Sequence, residues 1–252
     1  MFLCFSQSII RIYRVNFKRD NLVIGRSLRS LISFILVFLL IITNGCSAKN
    51  LINNSDKKDQ LVLAVSSDPP TFNYAVNTTP YSIFGYLYRG LLKLNGITGE
   101  VEPALAESWE ISPDKSQFIF TLREGLKWSD GVPLSADDVV FTYNQIYLNP
   151  KIPSVWKDFL KFGNQKKFPV IKKLDSTHIE FTLPEPFAPF LRYITRLAIL
   201  PSHKLLSSVI SLDESGNPQF ISTWGTDTPP QEIVTNGPYK LVSYTPGERL
   251  IL

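Results

Sequence analysis

Cysteine is nearly absent from this chain: among 252 residues only Cys4 and Cys46 carry a thiol. No disulfide can form downstream of residue 46, so a hydrophobic core has to hold that part together. Histidine is almost as scarce, with His178 and His203 separated by 25 positions and far from either thiol. The sequence also lacks a Gly-rich phosphate loop, a Gly-x-Ser-x-Gly elbow and any His/Cys/Asp cluster with metal-ligand spacing. These absences argue against an enzyme and imply no cofactor and no metal site. Long apolar runs are missing as well. The longest spans residues 31–42, twelve positions against the ~20 that a bilayer-crossing helix needs.

Excess positive charge is confined to one end. Residues 1–45 hold six of the 26 Lys+Arg and one of the 22 Asp+Glu, leaving 20 basic against 21 acidic groups beyond them. No basic stripe is left in the body of the chain, which excludes nucleic acid as the expected partner.

The basic stretch, the apolar run at 31–42 and the small-residue segment Thr43-Asn-Gly-Cys46 together have the order of an export signal. Gly45-Cys46 resembles a bacterial lipobox, in which the cysteine thiol takes a diacylglyceryl group. Thr43 and Asn44 depart from the residues usual there. The resulting expectation is a signal peptide over 1–45, lipidation at Cys46, and a chain held at the membrane surface by its N-terminal lipid. Residues 46–60 are polar and without periodicity, as a flexible tether requires.

From residue 61 the pattern is that of a globular domain of mixed α/β (α+β) class, with strands and helices interleaved irregularly. Leu61-Val-Leu-Ala-Val65 reads as a buried strand that Pro69-Pro70 ends. Thr79-Pro80 is expected to open a helix whose apolar residues at 83/84, 87/88 and 91/92 share one face, with Gly90 as its stop. Phe118, Phe120 and Leu122 alternate with Ile119 and Thr121, predicting a half-buried strand after one at 109–111. Ile179, Phe181 and Leu183 predict another. Ser135-Ala-Asp-Asp138 has the form of a capping box. Asp137 and Asp138 therefore belong to a helix's first turn, where the macrodipole favours acids, rather than to a paired-carboxylate site. Residues 239–244 and 249–252 suggest a hairpin across Pro246-Gly247.

Three stretches in register carry a resemblance. They are Tyr88-Arg-Gly-Leu-Leu92, then the run from Pro103-Ala-Leu-Ala-Glu-Ser-Trp109 through Lys127-Trp-Ser-Asp-Gly131 to Ser135-Ala-Asp-Asp-Val-Val-Phe141, and Thr235-Asn-Gly-Pro-Tyr239 followed by Pro246-Gly-Glu-Arg249. They resemble the signature of the extracellular solute-binding proteins that deliver oligopeptides, dipeptides or nickel complexes to ABC importers.

The resemblance implies a periplasmic-binding-protein-like lobe with an inserted satellite domain. Its parts would be a first lobe segment at 61–83, the satellite at 84–175 and a second lobe segment at 176–252. A second lobe is expected beyond the last residue, as is the Asp that holds a peptide's amino terminus. The ligand site would draw on Asn77, Thr78, Thr79 and Tyr81 from the loop after the first strand, and on Trp156. If Thr79 caps a helix facing the cleft, its free N–H groups can hold an anion; otherwise it lies in an ordinary capped loop. Trp156 is either a pocket wall or a packing residue. The implied partners are a peptide or other small solute and the permease subunits of the transporter. The chain would be a monomer, exported to the periplasm or cell surface. A truncated, non-binding lipoprotein remnant is the alternative, and nickel complexes are the alternative ligand.

Overall fold

The alternating strands between residues 106 and 182 build one antiparallel sheet. The computed structural model describes residues 62–63, 67–78 and 82–252. These fall in one compact unit, Asp59–Leu252. The leader, Cys46, the tether, Thr79 and Tyr81 lie outside the described residues.

The strands are β1 (Val62–Leu63), β2 (Leu92–Leu94), β3 (Val101–Pro103), β4 (Ala106–Ile111), β5 (Gln117–Leu122), β6 (Val170–Lys173), β7 (His178–Thr182), β8 (Ser243–Thr245) and β9 (Arg249–Ile251), joined by turns or by short helices. The main sheet has the order β4-β5-β7-β6. Its register sets Trp109 opposite Phe120 and Phe118 opposite Phe181. Phe118, Phe120, Leu122, Ile179 and Phe181 are buried, so the period-2 pattern marks the core face correctly. Each such side chain contributes about 2 kcal/mol by leaving water.

Helix α1 covers Phe84–Leu87, α2 Ala136–Phe141, α3 Phe190–Ile194 and α4 Ser202–Ile210. The predicted capping box is present at α2: Asp138 Oδ2 accepts from the Ser135 N–H at 3.0 Å, and Ser135 Oγ accepts from the Asp137 N–H at 3.3 Å. The helix widens into a π turn, Thr142–Tyr147, and lays Val139, Tyr143, Ile146 and Tyr147 into the core. Tyr143 and Phe181 meet edge to face at 4.9 Å. Asp138 is itself buried and also accepts from the Ser202 N–H (2.9 Å), the Ser202 hydroxyl (2.7 Å) and Trp128 Nε1 (3.3 Å). It thus ties the start of α4 to the start of α2. Asp137 pairs with Lys173 at 2.7 Å.

Three expectations need correction. The helix anticipated from Thr79 to Gly90 is a single turn, Phe84–Leu87, with Ile83 at its N-cap and no side-chain cap. Leu92 enters a strand instead, so the four-residue spacing reflects burial on several sides. Gly90 is not a helix stop. A Cβ there would sit 2.4 Å from the Leu197 carbonyl oxygen, so glycine is required by close backbone approach. Lastly, a boundary at residue 175 would cut β7 from β5 and β6, to which it is paired along its length.

A second sheet has the order β1-β9-β8, with Val62 opposite Ile251 and Tyr244 opposite Leu250. The segments that precede and follow the four-stranded sheet therefore meet. Gly237 lets them close on α1: its N–H donates to the Leu87 carbonyl at 2.8 Å, and a Cβ would meet the Tyr86 oxygen at 2.2 Å.

Candidate functional site

After Pro69-Pro70 the chain cannot continue a strand ladder, and side-chain bonds fix its path. Thr71 Oγ1 donates to the Trp224 carbonyl (3.0 Å), Asn73 Nδ2 to that of Phe220 (2.8 Å), and Asn77 Nδ2 back to that of Thr71 (3.2 Å). This loop presents Tyr74. Facing it is the 3₁₀ turn Val155–Leu160, opened by Ser154, whose hydroxyl accepts from the Trp156 N–H at 3.3 Å. The Tyr74 and Trp156 rings stack with centroids 5.3 Å apart and planes 10° apart. Phe84 meets Tyr74 edge-on at 5.6 Å, and Tyr88 lies 6.0 Å from it.

The segment 195–200 forms the opposite side and is pinned at four points. The Tyr74 hydroxyl donates to the Arg196 carbonyl. The Tyr147 hydroxyl donates to that of Ala198 at 2.6 Å. The Ile199 N–H donates to Arg89 at 2.9 Å, and the Leu200 N–H to Thr142 Oγ1 at 2.9 Å.

Between these elements lies an open pocket of about 260 Å³. Tyr74, Phe84, Tyr88 and Trp156 supply its aromatic wall, and Asn77, Arg89, Lys93 and Arg196 supply polar groups. Such a mixture of apolar wall and few polar groups suits a small solute. Two buried polar atoms of the wall, Tyr88 Oη and Trp156 Nε1, have no hydrogen-bond partner. Burial pushes the pKa of the Tyr74 and Tyr88 phenols well up, so both stay protonated.

Of the residues predicted for the site, Asn77 and Trp156 come together here. Thr78 is exposed and does not line the pocket. Sequence reasoning missed Tyr74, Tyr88, Arg89 and Arg196. Tyr88 and Arg89 stand in the Tyr88-Arg-Gly-Leu-Leu92 stretch and could have been found there. Arg196 reaches Tyr74 across 122 positions, and no local pattern announces that.

The histidines make local pairs. His178 Nδ1 lies 2.9 Å from Asp175, and His203 Nε2 lies 2.8 Å from Asp130. The latter clamps α4 to the turn after Trp128, whose Ser129 exchanges two hydrogen bonds with Thr235.

The fold is of the periplasmic-binding-protein-like class, with mixed α/β architecture. The profile described as "Bacterial extracellular solute-binding proteins, family 5 Middle" matches residues 100–252, more than half of the chain, and the chain belongs to this family. It is 33% identical over 178 residues to the periplasmic oligopeptide-binding protein OppA of Salmonella typhimurium, covering 66% of this chain and 30% of that one. Its fold resembles that of the ABC transporter-associated periplasmic binding protein DppA of Helicobacter pylori, solved with the peptide STSA. There the TM-score is 0.57 at 26% identity, over 74% of this chain and 37% of that one. NikZ of Campylobacter jejuni, solved with Ni(L-His), gives 0.57 at 26% identity, over 74% and 33%. The chain spans about 30% of the length of the relatives it matches first.

Proposed function

We propose that this chain is part of the substrate-binding component of an ABC importer for oligopeptides or dipeptides, and that it binds rather than transforms its solute. The observation that carries this is the Tyr74–Trp156 stack beside Asn77, in a pocket whose other polar groups are few. An apolar wall with a few polar groups removes water from a small solute and fixes its orientation. The names of the relatives, all binding proteins, support the same reading.

In this proposal residues 61–83 and the chain beyond the main sheet form one binding lobe. Residues from 84 onward form a satellite, with its end moved from 175 past Thr182 so that the sheet stays whole. A second lobe closes over the solute, and Asn77, Thr79, Tyr81 and Trp156 contribute from this side. Residues 1–45 direct export, a lipid on Cys46 anchors the protein, and permease subunits receive the solute from a monomer.

Calorimetric titration with a mixed peptide library tests the binding claim. Heat that saturates with peptide, and weakens when Trp156 is replaced, supports it. No saturable binding of any peptide in the two-lobed protein rejects it.

A further inference from the structure

The pocket has a one-sided chemistry. Three of its lining residues, Arg89, Lys93 and Arg196, are cationic, and none is acidic. Lys93 is paired with Glu102 at 3.2 Å. Arg89 and Arg196 have no carboxylate partner among the described residues. The lining charges that lack a carboxylate partner, Arg89 and Arg196, are therefore both positive. An anionic group complements them.

The turn that carries Trp156 extends the pattern. From 151 to 173 the sequence has seven lysines and a single carboxylate, Asp158, which Lys161 already holds at 2.6 Å. Lys157, next to Trp156, lies over the Phe168 ring at 5.8 Å. Beyond the leader the chain is close to neutral, so this concentration is local. It raises the potential around the turn and draws anions toward it.

We propose that the pocket receives a carboxylate group joined to an apolar body, and that the protein selects anionic solutes over neutral or cationic ones of the same shape. Arg89 and Arg196 balance the charge of the carboxylate beside the aromatic wall. The apolar body covers the faces of Phe84 and Tyr74. This rests on the reading of the pocket as a solute site, and the test below separates the two.

The indole N–H signals of the ¹⁵N-tryptophan-labelled protein, joined to the C-terminal lobe of a family relative, give a local readout, with Trp156 assigned by its loss in W156F. Three probes share one body and differ in charge: N-acetylphenylalanine, its neutral amide, and the cationic phenylalanine amide. The anion is expected to move the Trp156 signal with about tenfold higher affinity than the neutral amide, and the cation to bind less still. Raising NaCl from ~50 to ~500 mM should shrink the anion's advantage by screening. Changing the exposed arginine in R196Q, alone and with R89Q, should bring the anion to the level of the neutral amide. Equal affinity for all three probes, or strongest binding of the cation, overturns the charge selectivity while leaving a solute pocket in place. A Trp156 signal that none of the probes moves overturns both. The charge and salt series are read on the joined parent protein, with W156F used for assignment alone, so a poorly folded arginine variant does not blunt the test.

Discussion

Trp156 lies flat against Tyr74, ring centroids 5.3 Å apart, while its own indole N–H is buried without a partner. The stack favours the folded state and the orphaned donor opposes it. In W156F the ring contact survives and the donor disappears. Urea unfolding of W156F should fall within about 1 kcal/mol of the parent, since removing an unsatisfied donor offsets the smaller ring. Solute binding should weaken by about tenfold in the same protein. A variant that loses stability and retains binding would mark Trp156 as packing alone.

Two glycines are held by close backbone approach. Replacing Gly237 with Ala sets a Cβ 2.2 Å from the Tyr86 oxygen and 2.5 Å from the Leu87 carbonyl carbon. We expect G237A to cost roughly 2–3 kcal/mol through forced backbone shifts. Gly96 has nothing within 4 Å, so G96A should change little and serves as the control.

Asp138 and Asp137 are neighbours with opposite consequences. D138A strands the Trp128 indole, the Ser202 N–H and hydroxyl, and the Ser135 N–H, and should cost about 3 kcal/mol. D137A removes an exposed pair with Lys173 and should cost under about 1 kcal/mol. Parallel thermal melts decide this, and similar losses for both would contradict it.

The strand pattern at 117–122, the capping box at Ser135 and the hairpin across Pro246-Gly247 were all legible in the sequence, because each depends on local spacing. The helix expected at 79–90 was not, because Leu87, Leu91 and Leu92 are buried by tertiary neighbours rather than along one helical face. The pocket was the least legible part. Asn77 and Trp156 were reachable through a family resemblance alone. Tyr74, Arg89 and Arg196 meet through side-chain to backbone bonds that no short motif encodes. Legibility stopped where contacts became long-range.

Two carboxyls should govern acid stability. Burial pushes Asp130 up, but the His203 ring, the Val132 N–H and Lys204 outweigh it and hold the group below its ordinary value. Asp175 is held lower still, first by the Thr177 N–H and then by the His178 ring and its N–H. A depressed folded-state pKa contributes stability above the unfolded value of ~3.9, and that stability is lost as pH falls toward the folded value. Melting temperature should therefore drop below pH ~4, and the drop should be shallower in D130N and in D175N. Identical acid limbs in parent and variants would contradict this.

Anchoring has its own test at Cys46. C46S should leave the exported chain soluble after membrane sedimentation or block its processing, since stable attachment needs more than one acyl chain. Unchanged sedimentation and gel mobility would exclude a lipid at this position.

The central claim is that residues 46–252 carry one wall of a solute site that a second lobe completes. Calorimetry against a mixed peptide library measures it directly, on this stretch alone and joined to the C-terminal lobe of a family relative. We predict a Kd weaker than ~1 mM for the stretch alone and near ~1 μM once joined, a gain of about 4 kcal/mol from enclosure. The joined protein should lose affinity in W156F. Micromolar binding by residues 46–252 alone, or a joined protein indifferent to W156F, would contradict the claim.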